Sequence, residues 1–520
     1  MGNIKEIISF WKSLDPLIHE AYRVLGKEVT MGMPGPCMPA ISETENVGIG
    51  SPYGKGAERI WGFWGTAVHK IQLGPGGRTN GITGHSPYMS DLADNPFFIP
   101  PESLVQRGLV RAKTLEKIYA TPKKSDYINF DQVESDFHTL LEEARQAKKS
   151  RLPLPVFSTH LAEEYAEHCL FSYIGDLQVL IPAEIQEKYP DLFLKEMALG
   201  APPDDFSNEP QRWGFPVFKP EFLFNKDGSL GPAGKIWKEL LENAMRRAKG
   251  GLRIDHFIAF INPYLLSDNP KIKPGRLYSS PKHPLLKKYY KKRLADFAAV
   301  TEKILLPAAK KYGMRAEELY LEDIGIRPPE MDKILNKFGL NRMLVTQFVN
   351  IHDKNHLYHL MQAKPQDVAA LDTHDTPSIQ EFFGQMNDAM RYAHATNMAE
   401  HLRFNYNDSL KSTEQLIRMK WGELMLCPAK RVQAFFTSWT GQMGRYNIPN
   451  TLNAWHLRCV PNFEELYFRN LAKGCAYNPL DATALAIFAK GDDFYNAHRD
   501  LVDKLRKNEE ILFNLIRSGI

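Results

Sequence analysis

Eight short apolar runs, set among stretches long enough to be helices, constrain this chain more than any other feature of its sequence. The runs fall at residues 37–41, 68–73, 173–181, 252–258, 319–324, 343–349, 368–372 and 432–437. Helix-length stretches lie at 3–27, 130–149, 158–170, 235–249, 287–313, 328–338, 377–405 and 411–425. In Lys235–Lys249 the residues Ile236, Leu240, Leu241, Ala244 and Ala248 share one face, as a helix against a core requires. Alternating strands and helices imply a parallel sheet with crossover helices. Eight strands predict an α/β fold, a (β/α)8 barrel, whose site lies at the C-terminal ends of the strands. The expected organisation is one catalytic barrel over 1–520, with insertions notably at about 74–170, 182–250 and 377–430 forming subdomains around the cleft. The proline- and glycine-rich stretches 198–219 and 262–284 are expected to be loops.

The totals leave room for a large core and exclude several classes of function. A hydrophobic share of 43% and a charged share of 24% are ordinary for a globular enzyme. A net charge of +4 is small for 520 residues, and the run Lys287–Arg293 suits a solvated helix face, which argues against nucleic acid as a partner. Five cysteines, an odd number without CxxC spacing, predict reduced thiols and not a disulfide frame or zinc site. No apolar run approaches the roughly 18 residues of a membrane span. Lys5, Glu6, Lys12 and Asp15 interrupt the N-terminal apolar pattern, unlike a signal peptide, and Glu6 stands where a myristoylation signal wants Ser or Thr. A cytoplasmic protein is expected.

Charge inside three apolar runs points to the chemistry. In the stretch 251–260 two glycines end a helix, and in the strand that follows Arg253 and Asp255 share one face. A guanidinium beside a carboxylate favours the ionised acid, here a nucleophile candidate at a barrel mouth. Alone, the pair is as readily a structural ion pair closing a core strand. Glu322 and Asp375 also follow apolar runs, and in a barrel such ends converge. Two carboxyl groups flanking an acetal are the minimum for glycoside cleavage, one attacking the anomeric carbon and the other protonating the leaving oxygen. Arg253 suits Asp255 to the first role. Asp323, adjacent to Glu322, is expected to raise the proton affinity of Glu322, as a general acid needs. Asp375, beside His374, is suited to sugar hydroxyls or developing positive charge. Each acid has a plainer alternative: a helix-entry pair at Glu322–Asp323, a structural hydrogen bond at His374–Asp375, or a magnesium ring. No strong metal-ligand pattern, GxGxxG, P-loop or GxSxG elbow is present, so neither metal nor cofactor is expected. Tyr88, Phe206, Trp213 and Trp455 are placed to stack on sugar rings, although lone aromatics more often serve packing.

Taken in order, these segments resemble the 4-α-glucanotransferases, the amylomaltase or disproportionating-enzyme family of the α-amylase superfamily, over roughly residues 46–460. Gly251–Phe257 is similar to the family's nucleophile strand, Leu321–Gly325 to its acid/base segment and Thr373–Asp375 to the segment of its third acid. The resemblance implies Asp255 as nucleophile, Glu322 as proton donor and Asp375 as third catalytic acid. It implies substrate contacts from Tyr88 (in Ser86-Pro87-Tyr88), Asp176 (in Gly175-Asp176-Leu177), Arg253 and His374. Asp204, Phe206 and Trp213 match the long loop over the cleft, while Asn447 belongs with Pro449, Thr451, Asn453, Trp455 and Arg458 to a C-terminal signature. The chain departs from the family at Asp205, where a tyrosine is usual, at Thr376-Pro377-Ser378, and after Asp176.

The implied activity is transfer of α-1,4-glucan segments to the 4-hydroxyl of glucose or a glucan by a retaining double displacement. The expected partners are maltodextrins and a glucose acceptor. The rivals are an α-1,4-glucan hydrolase of the same superfamily and a weakly active glucan-binding protein.

Overall fold

The computed structural model describes residues 2–89, 93–169, 171–178, 181–203, 209–290, 295–328, 330–448, 451 and 454–520. Eight parallel strands form one sheet: β1 Glu28–Gly32, β2 Lys70–Gln72, β3 Ile174–Leu177, β4 Gly251–Ile254, β5 Leu319–Leu321, β6 Met343–Val345, β7 Val368–Ala370 and β8 Arg431–Phe435. Their order is β6-β7-β8-β1-β2-β3-β4-β5. The two edges meet through a parallel bridge between Glu322, just past β5, and Met343 of β6. The sheet therefore closes on itself, and the expected (β/α)8 barrel is present.

Strand alternation divides the barrel wall into two chemistries. Leu252, Ile254, Leu319 and Leu321 face outward into an apolar cluster with the surrounding helices. Inside, Ile174, Tyr320, Met343, Val345, Val368 and Ala370 form an apolar layer. Above them, toward the C-terminal mouth, the buried interior positions turn polar: Gln72, Asp176, Arg253, Glu322 and Gln433. β4 starts on Gly251 at φ +130°, a conformation that favours glycine. A Cβ there would lie 2.8 Å from the Glu318 carbonyl oxygen and 2.7 Å from the Tyr320 ring.

The first strand lies earlier than expected. Residues 37–41 are not a strand; Gly35–Cys37 is a 3-10 turn, and β1 comes before it. Pro39 within this stretch, and Pro34 and Pro36 just before it, lack the backbone donors that a ladder needs, whereas Glu28–Gly32 pairs along its length with β8. The stretch 3–27 forms two helices, Gly2–Ser13 and Asp15–Leu25, with Pro16 in the first turn of the second. The two expected loops also contain structure. Gln211–Phe215, Ala198–Ala201, Tyr264–Leu266 and Gly275–Arg276 make a separate antiparallel sheet in that order.

The C-terminal helices Phe463–Ala472, Pro479–Ala489 and Arg499–Gly519 join the first two helices in the largest apolar cluster. Trp11, Phe63, Trp64 and Tyr467 interlock there edge to face, with Trp64 and Tyr467 centroids 4.7 Å apart. Burying each such ring contributes about 1.5–3 kcal/mol, so this cluster braces the barrel wall at β1 and β8. Among the described residues no helix is long and apolar enough to cross a membrane.

Candidate active site

Register brings the acids together. Asp176 of β3 pairs with Arg253 of β4, which pairs with Tyr320 of β5, so all three side chains point into the barrel. Arg253 is 1% exposed and sits at the centre. Its Nη1 donates to both oxygens of Asp176 at 2.8 Å and to the Tyr88 hydroxyl at 3.2 Å. Its Nη2 donates to Asp255 Oδ1 at 2.9 Å and to Glu322 Oε1 at 2.6 Å. Two acceptors on one nitrogen cannot be farther apart than the sum of those two contacts. For these two oxygens the bound is consistent with the roughly 5–5.5 Å between the carboxyl groups of retaining glycosidases.

The chain turns sharply to make this possible. His256, directly after Asp255, has φ +40°, uncommon for a residue with a side chain. Its backbone N–H donates to Glu322 Oε2, 2.9 Å away. Strain at such a site persists only where surrounding contacts fix it. The ring of Trp213, from the strand Gln211–Phe215, meets the His256 ring edge-on at 4.8 Å.

A second group faces these acids. His374 stacks on Tyr88 with centroids 4.7 Å apart, and its Nε2 lies 3.0 Å from Asp375 Oδ2. Asn447 donates from Nδ2 to Asp375 Oδ1, and its backbone N–H donates to the His374 carbonyl at 3.0 Å. Trp455 approaches both rings, 5.7 Å from Tyr88 and 6.0 Å from His374. Thr376-Pro377-Ser378 has a structural use. Thr376 Oγ1 accepts from the Thr373 N–H, and Ser378 caps the helix Ile379–Gly384 in a capping box with Glu381.

The proton distribution differs from the one expected. Burial raises the proton affinity of Asp255, Glu322 raises it further, and Arg253 only partly offsets them, leaving Asp255 well above the usual carboxylate range. Burial also pushes Glu322 up, but Arg253 and the His256 N–H outweigh it and hold Glu322 below its ordinary value. The two carboxyl groups titrate as a pair, with the higher proton affinity on the Asp255 side. Asp323 does not raise the affinity of Glu322. It is the next residue along the strand, so it points to the opposite side and pairs with Arg327 at 2.8 Å. Burial would raise Asp375 too, but His374, Asn447 and Arg253 bring it down to about 2.

Of the residues singled out in the sequence, Tyr88, Asp176, Arg253, Asp255, Glu322, His374, Asp375 and Asn447 form one contiguous constellation. Trp213 joins it through His256. Asp204 and Phe206, with the departure at Asp205, lie outside the described residues, as do Pro449 and Asn453. Sequence reasoning missed His256, Gln72 and Gln433. The glutamines carried a faint signal, as polar residues inside apolar runs. Among the described residues no group of His, Cys, Asp and Glu is arranged to hold a metal ion.

Known proteins resemble this chain in sequence and in fold. The chain is 24% identical over 312 residues to a 4-alpha-glucanotransferase of Chlamydia pneumoniae, covering 56% of this chain and 52% of that protein. It is 27% identical over 213 residues to one of Thermus thermophilus, covering 39% of this chain and 37% of that protein. The chain thus spans about half the length of the first of these relatives and less of the second. Two solved structures share the fold. The amylomaltase of Streptococcus agalactiae, solved in complex with acarbose, superposes with a TM-score of 0.61 at 16% identity, over 87% of this chain and 100% of that one. The amylomaltase of Corynebacterium glutamicum gives 0.62 at 15%, over 88% and 77%. The family model described as 4-alpha-glucanotransferase matches residues 156–462, a stretch that holds Asp176, Arg253, Asp255, Glu322, His374, Asp375 and Asn447. On that match, the chain belongs to the 4-alpha-glucanotransferase family.

Proposed function

We propose that this protein is a 4-α-glucanotransferase acting on α-1,4-glucans by retaining double displacement. The observation that carries the reading is the single Arg253 nitrogen bonded to both Asp255 and Glu322, which keeps one oxygen of each as close as a covalent mechanism needs. Asp255 attacks the anomeric carbon as the glycosidic bond breaks, and Glu322 gives its proton to the departing 4-oxygen. A glycosyl ester on Asp255 results. Glu322, now a base, takes the proton of an acceptor's 4-hydroxyl, which attacks the same carbon and displaces Asp255.

The first step needs one proton on the pair, placed on Glu322. Binding must therefore favour Glu322 over Asp255 as its holder, against the bias of the unliganded pair. A sugar seated here brings a new acceptor, the glycosidic oxygen, to Glu322. Asp375, held at about 2, stays ionised throughout and faces the positive charge that develops at the anomeric carbon. Tyr88 and His374 supply a flat wall for that sugar, and Asp176, Arg253 and Asn447 fix the groups around it. Trp213 is assigned to substrate binding, as the resemblance also assigns Asp204 and Phe206. The chain 1–520 acts as one catalytic unit whose insertions at about 74–170, 182–250 and 377–430 wall the cleft and keep water from competing with the acceptor.

The test is to incubate the protein with pure maltotriose and resolve the products by length. Glucose with a ladder of longer maltodextrins, lost in Asp255→Asn, supports the transferase. Glucose and maltose without longer products would replace it with a hydrolase, and glucan binding without turnover would replace it with a binding protein. Acarbose, bound in the Streptococcus agalactiae structure, is expected to inhibit competitively.

A further inference from the structure

The floor of the site holds two glutamines that the mechanism does not use. Gln72 ends β2 and Gln433 lies in β8; they are 7% and 4% exposed. β1 runs between those strands. Their strands are therefore two strand spacings apart, about 9.5 Å, with Gln433 level with Thr30 and Gln72 two residues further toward the mouth, level with Gly32, and a side chain on β1 would ordinarily stand between them. The position between them is Gly32, in register with both Gln72 and Phe435. A Cβ on Gly32 would lie 3.2 Å from the Phe435 ring and 3.5 Å from Gln433 Nε2. Over this bare backbone Gln433 Nε2 donates to Gln72 Oε1 at 2.5 Å.

That bond gives the Gln72 amide a direction. With its oxygen taken, its Nε2 donates to Asp176 Oδ2 at 3.0 Å and to the Leu73 carbonyl at 3.3 Å. The same Asp176 oxygen accepts from the Tyr88 hydroxyl at 2.8 Å and from Arg253 Nη1 at 2.8 Å. We propose that Gln433 and Gln72 form an amide relay that positions Asp176, and through it Arg253, against the two reacting carboxyl groups. The proposal deepens the glucanotransferase reading and rests on it for the identity of those groups. Both glutamines are positioning residues, since they act through Asp176.

An amide suits this place because it donates without charge. A cation at Gln72 would compete with Arg253 for Asp176. A hydrocarbon would leave Asp176 one donor short on a dry floor, where burial already raises its proton affinity. The other groups facing Asp176 are Arg253 from β4, Tyr88 from the loop after β2 and His374 from the loop after β7, with Asp255 nearby on the Arg253 side. Protonation of Asp176 would loosen the hold on Arg253 Nη1. The guanidinium could then turn, and Nη2 would no longer bridge Asp255 and Glu322.

The test compares Gln72→Met, Gln433→Met and the double variant, which keep side-chain length and remove the amide. In maltotriose disproportionation, Gln72→Met is expected to lower kcat/KM about tenfold near neutral pH, mostly through kcat. The acid limb of its pH profile is expected to move up by about one unit. Gln433→Met should show the same change in smaller degree, and the double variant should be no worse than Gln72→Met. An unmoved acid limb, or losses that simply add, would overturn the relay. Thermal unfolding against pH supplies a readout without turnover. The gap in Tm between wild type and Gln72→Met should be widest near neutral pH and close in acid, because a protonated Asp176 no longer needs the donor. If wild type makes no longer maltodextrins, the glucanotransferase reading fails while the Tm gap still tests the relay; a gap independent of pH would sink the relay itself.

Discussion

Two buried ionic clusters in this molecule are built on opposite principles. In the helical region, Lys420 Nζ donates to Glu423 Oε2 at 2.6 Å, and His401 Nδ1 lies 2.6 Å from Glu423 Oε1. Lys420 and Glu423 are 3% and 1% exposed, and one acid is matched by basic partners. At the barrel mouth a single guanidinium serves Asp176, Asp255 and Glu322, with Asp375 nearby. The outcomes differ accordingly. Burial would raise Glu423, but Lys420 and His401 overcome it and bring Glu423 down to about 2. Arg253 cannot do the same for three acids at once, so Asp255 keeps a proton affinity well above its ordinary value. A matched cluster holds the fold, whereas an undersupplied one leaves a perturbed acid where chemistry can use it.

Mutation tests this contrast most strongly at Asp255. Asp255→Asn is expected to lower transfer from maltotriose by at least about 10^4-fold while Tm holds or rises, because an isosteric neutral group relieves the crowded guanidinium. A parallel loss of stability, measured by calorimetry, would put the two clusters on the same footing. Glu322→Gln is expected to cost about 10^3-fold on maltotriose and far less on a maltosyl fluoride donor, whose leaving group needs no proton. Equal losses on both donors would remove Glu322 from the acid role.

The distal cluster should respond in the opposite way. Lys420→Met strands the Glu423 charge and is expected to cost about 3–5 kcal/mol of stability, with kcat retained at temperatures below unfolding. The pH dependences should also be opposed. Glu423 has a depressed folded pKa, so its contribution, about 3 kcal/mol, is complete above the unfolded value near 4.5 and is lost as pH falls toward about 2. Asp255 is raised, so the stability linked to its protonated form is present below about 4 and disappears as pH rises through its folded value. The Tm advantage of Asp255→Asn should therefore grow with rising pH, while the Tm deficit of Glu423→Gln shrinks with falling pH. Profiles of the same sign would break the comparison.

Much of this site was legible because local signals coincide there. An acid inside an apolar run is conspicuous, and a barrel brings strand ends together without any further sequence cue, which is how Asp255, Glu322 and Asp375 could be found. Other features depended on partners distant in the chain. The stretches around Ala198–Ala201 and Tyr264–Leu266 looked like loops because their antiparallel pairing spans about sixty residues, and three prolines obscured the true place of the first strand. Gln72 and Gln433 carry no charge, so their place inside apolar runs was only a faint signal beside that of the acids. The role given to Asp323 failed on an alternation rule that was already to hand: neighbours on a strand face opposite ways.

The bridge from Glu322 to Met343 has a practical consequence. The barrel is joined at its seam by the residue assigned to proton transfer, so the wall is thinnest where placement matters most. Gentle warming should silence the enzyme before it melts, with amides of β5 and β6 exchanging deuterium ahead of the other strands. Reinforcing the aromatic bundle at the C-terminus would then lengthen shelf life as a folded protein without lengthening its working life as a catalyst, whereas a staple across that seam would do both.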